Sequence, residues 1–148
     1  LKDDFVDVCF KILDGNLTKV EFEEKATVVT YKVPPNYGGY ATIFPEHVNK
    51  NEVDKPVDLS EANKLGERRG GRIRVYPASM ELREGKTYAL KSRAVCVVGI
   101  GDDIQNAREA SLEGIKAIEG GALWHRNDIA SREHIGKSVR HMEKLRTL

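Results

Sequence analysis

The stretch SRAVCVVGIGDDIQNAREASLEGIKAI, residues 92–118, decides the fold. Its first part is the most apolar run of the chain and is rich in β-branched residues, which predicts a central strand. Its second part changes period. Ile104, Ala107, Ser111, Ile115 and Ile118 recur at steps of three and four, the stripe of a helix lying on that strand. Asp102 offers a cap for the helix start, with Gln105 as its box partner three residues on. Gly120 and Gly121 end the helix. A strand that feeds directly into a helix around Gly99 and Gly101 has the outline of a phosphate-binding turn. Asp102 and Asp103 argue against that use, because they bring negative charge to the helix start and repel phosphate. The full glycine fingerprint and a Lys-Ser or Lys-Thr pair are both missing. An ordinary capped turn is the preferred reading.

Working outward, the segment before residue 92 is strand-rich. LREGKTYAL predicts a hairpin closed near Glu84 and Gly85. Arg72 to Ala78 alternates polar and apolar positions, as a partly exposed strand does, and Gly70 with Gly71 makes a tight bend before it. Lys25 to Val33 reads as another strand, stopped by Pro34 and Pro35. Between them lies a long loop with a short strand expected at Ala41 to Phe44. At the front, Phe5, Val8, Cys9, Ile12 and Leu13 mark a helix over Asp4 to Asp14, capped by Asp3 or Asp4 and ended by Gly15 and Asn16. Its apolar face demands a partner. Thr18 to Glu24 reads as a weaker extended segment. At the far end Ser131 caps a last helix, with Ile135, Val139, Met142 and Leu145 on its apolar face and Arg132, Lys137, Arg140 and Lys144 toward solvent. The expected fold class is α+β: a mostly antiparallel sheet of about four to six strands, packed in two layers against the C-terminal helices. No repeat or linker divides residues 1–148, so one domain is expected.

Composition narrows the function. The chain has 148 residues, 40% hydrophobic and 32% charged, with 24 Lys plus Arg against 23 Asp plus Glu. This balance calls for neither nucleic acid nor a membrane surface as partner. The longest apolar run, AVCVVGI, has the length of a strand and not of a membrane span. No secretory signal is visible. Cys9 and Cys96 sit in apolar patterns, which predicts buried, reduced thiols and a cytoplasmic setting. Two cysteines and four histidines form no zinc pattern. The opening at Leu1 fits a processed or excised fragment.

Two clusters carry candidate chemistry. KLGERRGGRIR holds Lys64, Arg68, Arg69, Arg72 and Arg74 with Glu67 as the opposing charge. Arg68, Arg69 and Arg72 could close with the intervening glycines on one anion, or the segment could be a solvated loop. RNA is disfavoured, because no aromatics interleave with the charge. ALWHRNDIASREHI, residues 122–135, is the second cluster. Arg126 is a rigid fork for a carboxylate or phosphate, Asp128 can orient it, Trp124 is an apolar anchor and His125 a titratable ring. Equally, Arg126 and Asp128 could pair only with each other. No serine or cysteine stands with an identifiable base and orienting carboxylate, so these residues alone do not establish an enzyme.

SRAVCVVGIGDDIQNAREASLEGIKAI followed by LWHRNDIA resembles the C-terminal domain of phosphoribosylamine–glycine ligase, an enzyme of the ATP-grasp superfamily, most closely in its archaeal form. The resemblance spans nearly the whole chain. LKDDFVDVCFKILDGNL is similar to the helix after the metal-binding strand of the ATP-grasp core, VPPNYGG to the loop after the first strand, ASMELREGKTYAL to the hairpin, and HMEKLR to the family terminus. The family carries glycine where this chain has Ala130. A need for positive φ there would reshape the loop. NYGGY also lacks a second proline and a lysine–glycine pair common after it. The resemblance implies ATP-driven joining of glycine to 5-phosphoribosylamine, with Mg ions bridging the nucleotide phosphates. It places the nucleotide clamp and metal carboxylates in the remaining ATP-grasp domains, upstream of this chain. It therefore implies no cofactor or metal ligand here and no ligation by these residues alone. Residues 1–24 would join the domain to that core, and Arg126, Asp128 and His125 would face substrate.

Overall fold

The computed structural model describes residues 1–147. β6 (Val95–Gly101) lies at the centre of a three-stranded antiparallel sheet, between β1 (Ala26–Lys32) and β3 (Ile73–Pro77). The register pairs Val29 with Val98 and Tyr31 with Cys96 on one side, and Arg74 with Val98 on the other. Alternation then sorts the side chains. Val28, Thr30, Ile73, Val95 and Val97 are buried beneath α4 (Ile104–Lys116). Val29, Tyr31, Arg74 and Tyr76 belong to the opposite, open face, where Val29 and Tyr76 remain exposed.

The core joins Ile73, Val95 and Val97 of the sheet to Ile115 and Ile118, with Val57 and Ala62 closing one side. α4 sits unusually close to the sheet because β6 has no Cβ where the two meet. A Cβ on Gly99 would fall 2.0 Å from the Ala107 carbonyl oxygen, and one on Gly101 would fall 2.4 Å from the Ala107 nitrogen. Ser111 is fully buried at this contact. Its Oγ lies 2.9 Å from Thr30 Oγ1 and 3.0 Å from the Val97 carbonyl, which satisfies a hydroxyl that would otherwise be costly to bury. The two glycines that suggested a phosphate turn therefore serve helix–sheet packing.

Two ribbons complete the strands. β4 (Met80–Arg83) and β5 (Lys86–Ala89) form the expected hairpin, with Glu84 and Gly85 both at positive φ in its two-residue turn. β2 (Val57–Asp58) pairs with β7 (Glu119–Gly120). The α+β class and the antiparallel pairing agree with expectation. The strands are divided among three small sheets instead of one of four to six.

Several local readings are corrected. Residues Tyr40–Ile43 form a helical turn, α2, and not a strand. Gly38 and Gly39 enter it in the left-handed region, and the i, i+4 spacing then places Tyr40 and Phe44 together against Trp124. The arginine-rich segment begins in a helix, α3 (Ser60–Arg68), which carries Lys64 and Arg68, while Arg69 to Arg72 form the turn after it and Arg74 lies in β3. The buried positions of α3 are Ala62 and Gly66, and a Cβ on Gly66 would lie 2.6 Å from the Ile73 carbonyl oxygen. The inward side is short, made by Ala62, Leu65 and Gly66, and it stands among charged residues. α4 is capped by Asp103, whose side chain accepts from Asn106 N at 2.7 Å. Asp102 instead pairs with Lys25, Gln105 pairs with Glu109, and Ile104 is exposed, so the buried stripe begins at Ala107. Thr18 to Glu24 forms no strand.

The two terminal helices stand apart from the layered core. α1 (Phe5–Leu13) is capped by Asp4 as expected, but only Val8 is buried, while Phe5, Phe10, Ile12 and Leu13 are exposed and Cys9 is half-buried. Cys96 is buried and both thiols are free. α5 (Arg132–Arg146) is capped by Ser131 and buries no residue; Val139, Met142 and Leu145 are about half exposed. Among the described residues no helix is long and apolar enough to cross a membrane.

Candidate functional site

The loop from Ala122 to Ser131 is held from four directions. Trp124 exchanges two backbone hydrogen bonds with Val33, at 2.8 and 2.9 Å, just beyond the end of β1. The Tyr40 hydroxyl, itself buried, donates to the Ala122 carbonyl at 2.9 Å. Arg108 of α4 donates to the Asn127 carbonyl at 2.6 Å and to the Ile129 carbonyl at 3.1 Å, bracketing the loop tip. Ser131 caps α5 at the exit, accepting from His134 N at 3.1 Å. The Trp124 ring stacks on Tyr40 with centroids 4.9 Å apart and on Phe44 at 5.8 Å. An apolar cleft of about 300 Å³ opens beside this stack, lined by Tyr37, Tyr40, Trp124, Ile129, Arg93 and Arg126.

Arg126 and Asp128 meet side-on. Arg126 Nε donates to Asp128 Oδ1 at 2.8 Å, Nη2 donates to Oδ2, and His134 Nδ1 lies 3.3 Å from the same Oδ2. The Arg126 hydrogen bonds, with smaller help from His134, hold the Asp128 carboxyl down at about 2. A carboxylate depressed below its ordinary 3.8 adds its stabilisation above that value and loses it as pH falls toward 2. Both side chains are about half exposed, so solvent screening keeps that contribution small. The geometry matters more than the energy: the bidentate grip presents one edge of a planar guanidinium at a fixed angle, which suits a carboxylate or phosphate. His125 does not join this pair. Its ring turns inward, its Nε2 is buried without a hydrogen-bond partner, and burial, then the charge of Lys32, push its basicity down.

Ala130 has φ +54. The chain makes a left-handed turn at the position where the resembled pattern has glycine, and alanine bears the strain. Such a conformation costs an L-residue about 1–2 kcal/mol, partly offset by the greater chain entropy of glycine. Ala130→Gly is expected to stabilise the chain by about 0.5–1 kcal/mol. Thermal unfolding checks this: an upward shift in Tm of roughly 2–3 °C is expected.

The second candidate cluster does not assemble into one site. Arg69 is bound to Glu113 at 2.6 Å and Arg68 lies 3.9 Å from Glu61, on the surface of α3 and α4. Arg72 stands apart, on a cleft with Arg74, Lys25 and Asp102 across the open face of the sheet. Two of the three guanidiniums are thus already paired with carboxylates. Among the described residues no group of three His, Cys, Asp or Glu side chains could hold a metal ion. Arg108 and Tyr40 were not foreseen as supports of the loop. Arg108 had one readable signal: no acidic residue lies three or four positions away on its own helix, so its guanidinium was free to reach elsewhere.

These features define a two-layer α+β domain that displays an arginine–aspartate fork beside an aromatic cleft. Residues 40–132 match the family described as phosphoribosylglycinamide synthetase, C domain, and the chain belongs to that family. It is 37% identical to a phosphoribosylamine–glycine ligase of Methanocella arvoryzae over 99% of this chain and 30% of that protein. Ligases of the same name from Methanocaldococcus jannaschii and Methanosarcina barkeri are 37% and 32% identical, again over 99% of this chain and 30% of theirs. The chain therefore spans about 30% of the length of the curated relatives it matches.

Proposed function

We propose that this domain works as the C-terminal part of an ATP-dependent ligase that joins glycine to 5-phosphoribosylamine in purine biosynthesis, in the cytoplasm. The observation that carries this reading is the continuous similarity of nearly all 148 residues to the same fraction of several such ligases. The domain walls and braces the reaction cleft, and the remaining ATP-grasp domains supply the nucleotide and magnesium sites. ATP phosphorylates the glycine carboxylate, and the amine of 5-phosphoribosylamine attacks the acyl phosphate and releases phosphate. Residues 1–24 lead to the catalytic core, and the exposed apolar side chains of α1, Phe5, Phe10, Ile12 and Leu13, support docking there. Exposed apolar groups of this density are hydrated at a cost that a neighbouring domain would relieve.

Arg126 is the residue assigned to substrate. Its fork is bound on one edge by Asp128, which leaves the other edge for a phosphate or carboxylate oxygen. Arg126→Ala in the complete ligase is expected to raise KM for 5-phosphoribosylamine or lower turnover. The loss in kcat/KM should be roughly tenfold or more, the value of one or two charge-assisted hydrogen bonds. Steady-state kinetics beside a thermal unfolding curve decide the matter. Unchanged kinetics in a stably folded variant would remove Arg126 from the substrate site.

A further inference from the structure

Below the loop lies a buried polar pair that the fork does not use. Val33 and Trp124 form a hydrogen-bonded antiparallel bridge. The bridge is isolated, and Lys32 and His125 are the next residues along the two segments on the same side of it. Lys32 is 9% exposed, and its ammonium donates to the Ile118 carbonyl just past the end of α4. An ammonium has three donors, and this bond uses one. His125 Nε2, in turn, is a buried nitrogen without a partner. The ring also contacts the Asn127 side chain, which must therefore engage Nδ1.

We propose that Lys32 is a positioning residue for the Arg126 loop: one of the spare donors of its buried ammonium turns to the unpartnered Nε2 of a neutral His125 and so fixes that ring as the Nδ1–H tautomer. Donors and acceptors then match. Lys32 serves the Ile118 carbonyl and the imidazole lone pair, while Nδ1–H donates toward the Asn127 side chain. The pair ties three elements to one point: β1 through Lys32, the end of α4 through Ile118, and the loop through His125. Since Arg126 follows His125 directly, a fixed imidazole fixes the path of the chain into the fork. Arg93 and Arg126 line the cleft that the His125 ring also borders. Glu119 of β7 attracts the ammonium, while Lys116 at the end of α4 adds a second positive charge near the ring. Protonating His125 would remove the acceptor and set two cations against each other, so the pair favours the neutral ring.

The inference does not require the ligase reading to be correct, because it is tested on the 148-residue chain without substrate. Nitrogen-15 NMR of the imidazoles reports the tautomer of each histidine, and Arg126 Nε–H exchange reports the fork. The expected wild-type result is a neutral His125 with a protonated Nδ1, titrating below the ordinary histidine range. In Lys32→Met, the His125 midpoint should move up toward that range and Arg126 Nε–H should exchange several-fold faster. Lys32→Arg, which restores a donor, should recover part of both. A wild-type His125 protonated at Nε2 overturns the proposal, whatever the variants do. So does a folded Lys32→Met with an unaltered His125 midpoint and unaltered Arg126 exchange. Should Lys32→Met fail to fold, the wild-type tautomer is decisive by itself: Nδ1–H supports the pair and Nε2–H rules it out.

Discussion

Gly99→Ala is expected to cost the chain about 3 kcal/mol or more, a large share of the stability of a domain this size. One methyl group suffices because the obstruction is backbone. Its Cβ would stand 2.0 Å from the Ala107 carbonyl oxygen, 2.3 Å from the Ser111 nitrogen and 2.9 Å from the Ser111 Cα. No rotamer change relieves such a contact. Either α4 lifts from β6 or the strand bends. If α4 lifts, the burial of Ile115 and the contact between Ser111 and Thr30 are both compromised. The measurement is chemical denaturation of the variant beside Gly85→Ala. The latter occupies an open turn where a Cβ meets nothing within 4 Å, although its φ of +75 still carries local strain. A Gly99 variant within about 1 kcal/mol of wild type would mean that the helix does not sit where the structure has it.

Trp124→Ala is expected to cost about 3 kcal/mol and to loosen a segment far away in sequence. The indole is the one ring that Tyr40, Phe44 and His47 share, at 4.9, 5.8 and 6.3 Å. Residues 36–56 contain only short helical turns, none of which would persist unaided. Removing the indole removes the surface on which they stack. The Val33–Trp124 backbone bridge can survive, since it needs no side chain. The variant should therefore remain folded in the sheet while limited proteolysis cuts between residues 36 and 56 much faster. Wild-type protease resistance of that segment would show that the aromatic stack is not what holds it.

The contrast between α5 and α3 shows what a pattern can and cannot reveal. Ile135, Val139, Met142 and Leu145 recur at helical spacing, and α5 forms over the expected residues. The same stripe remains about half exposed, because amphipathicity specifies that a face should be covered and is silent on what covers it. In α3 the opposite holds. Ala62 and Gly66 are wholly packed with Leu65 beside them, a covered helical face that the surrounding arginines and glycines disguised as a loop. The site divides in the same way. Arg126, Asp128 and the Ser131 cap lie within a few positions of one another, so their association was readable as two alternatives, substrate fork or internal pair. The structure forms the pair while keeping it half exposed. His125, grouped with them by proximity in the chain, turns the other way: it follows directly on the Val33–Trp124 bridge, and its Nε2 is buried.

The chain by itself determined the central strand 95–101, the hairpin turn at Glu84 and Gly85, the caps at Asp4 and Ser131, and the helical stripe from Ala107 to Ile118. Each depends on forces acting over a few residues: side-chain periodicity, a cap oxygen two or three positions from its amide, a backbone that needs positive φ. Tertiary structure alone decided that Asp102 joins Lys25, that Arg108 grips the carbonyls of Asn127 and Ile129, and that Tyr40 seats beneath Trp124. Those contacts join segments separated by about 20 to 80 residues. A long polar or aromatic side chain has many partners within reach of an unfolded chain, and only the packed sheet and α4 reduce them to one.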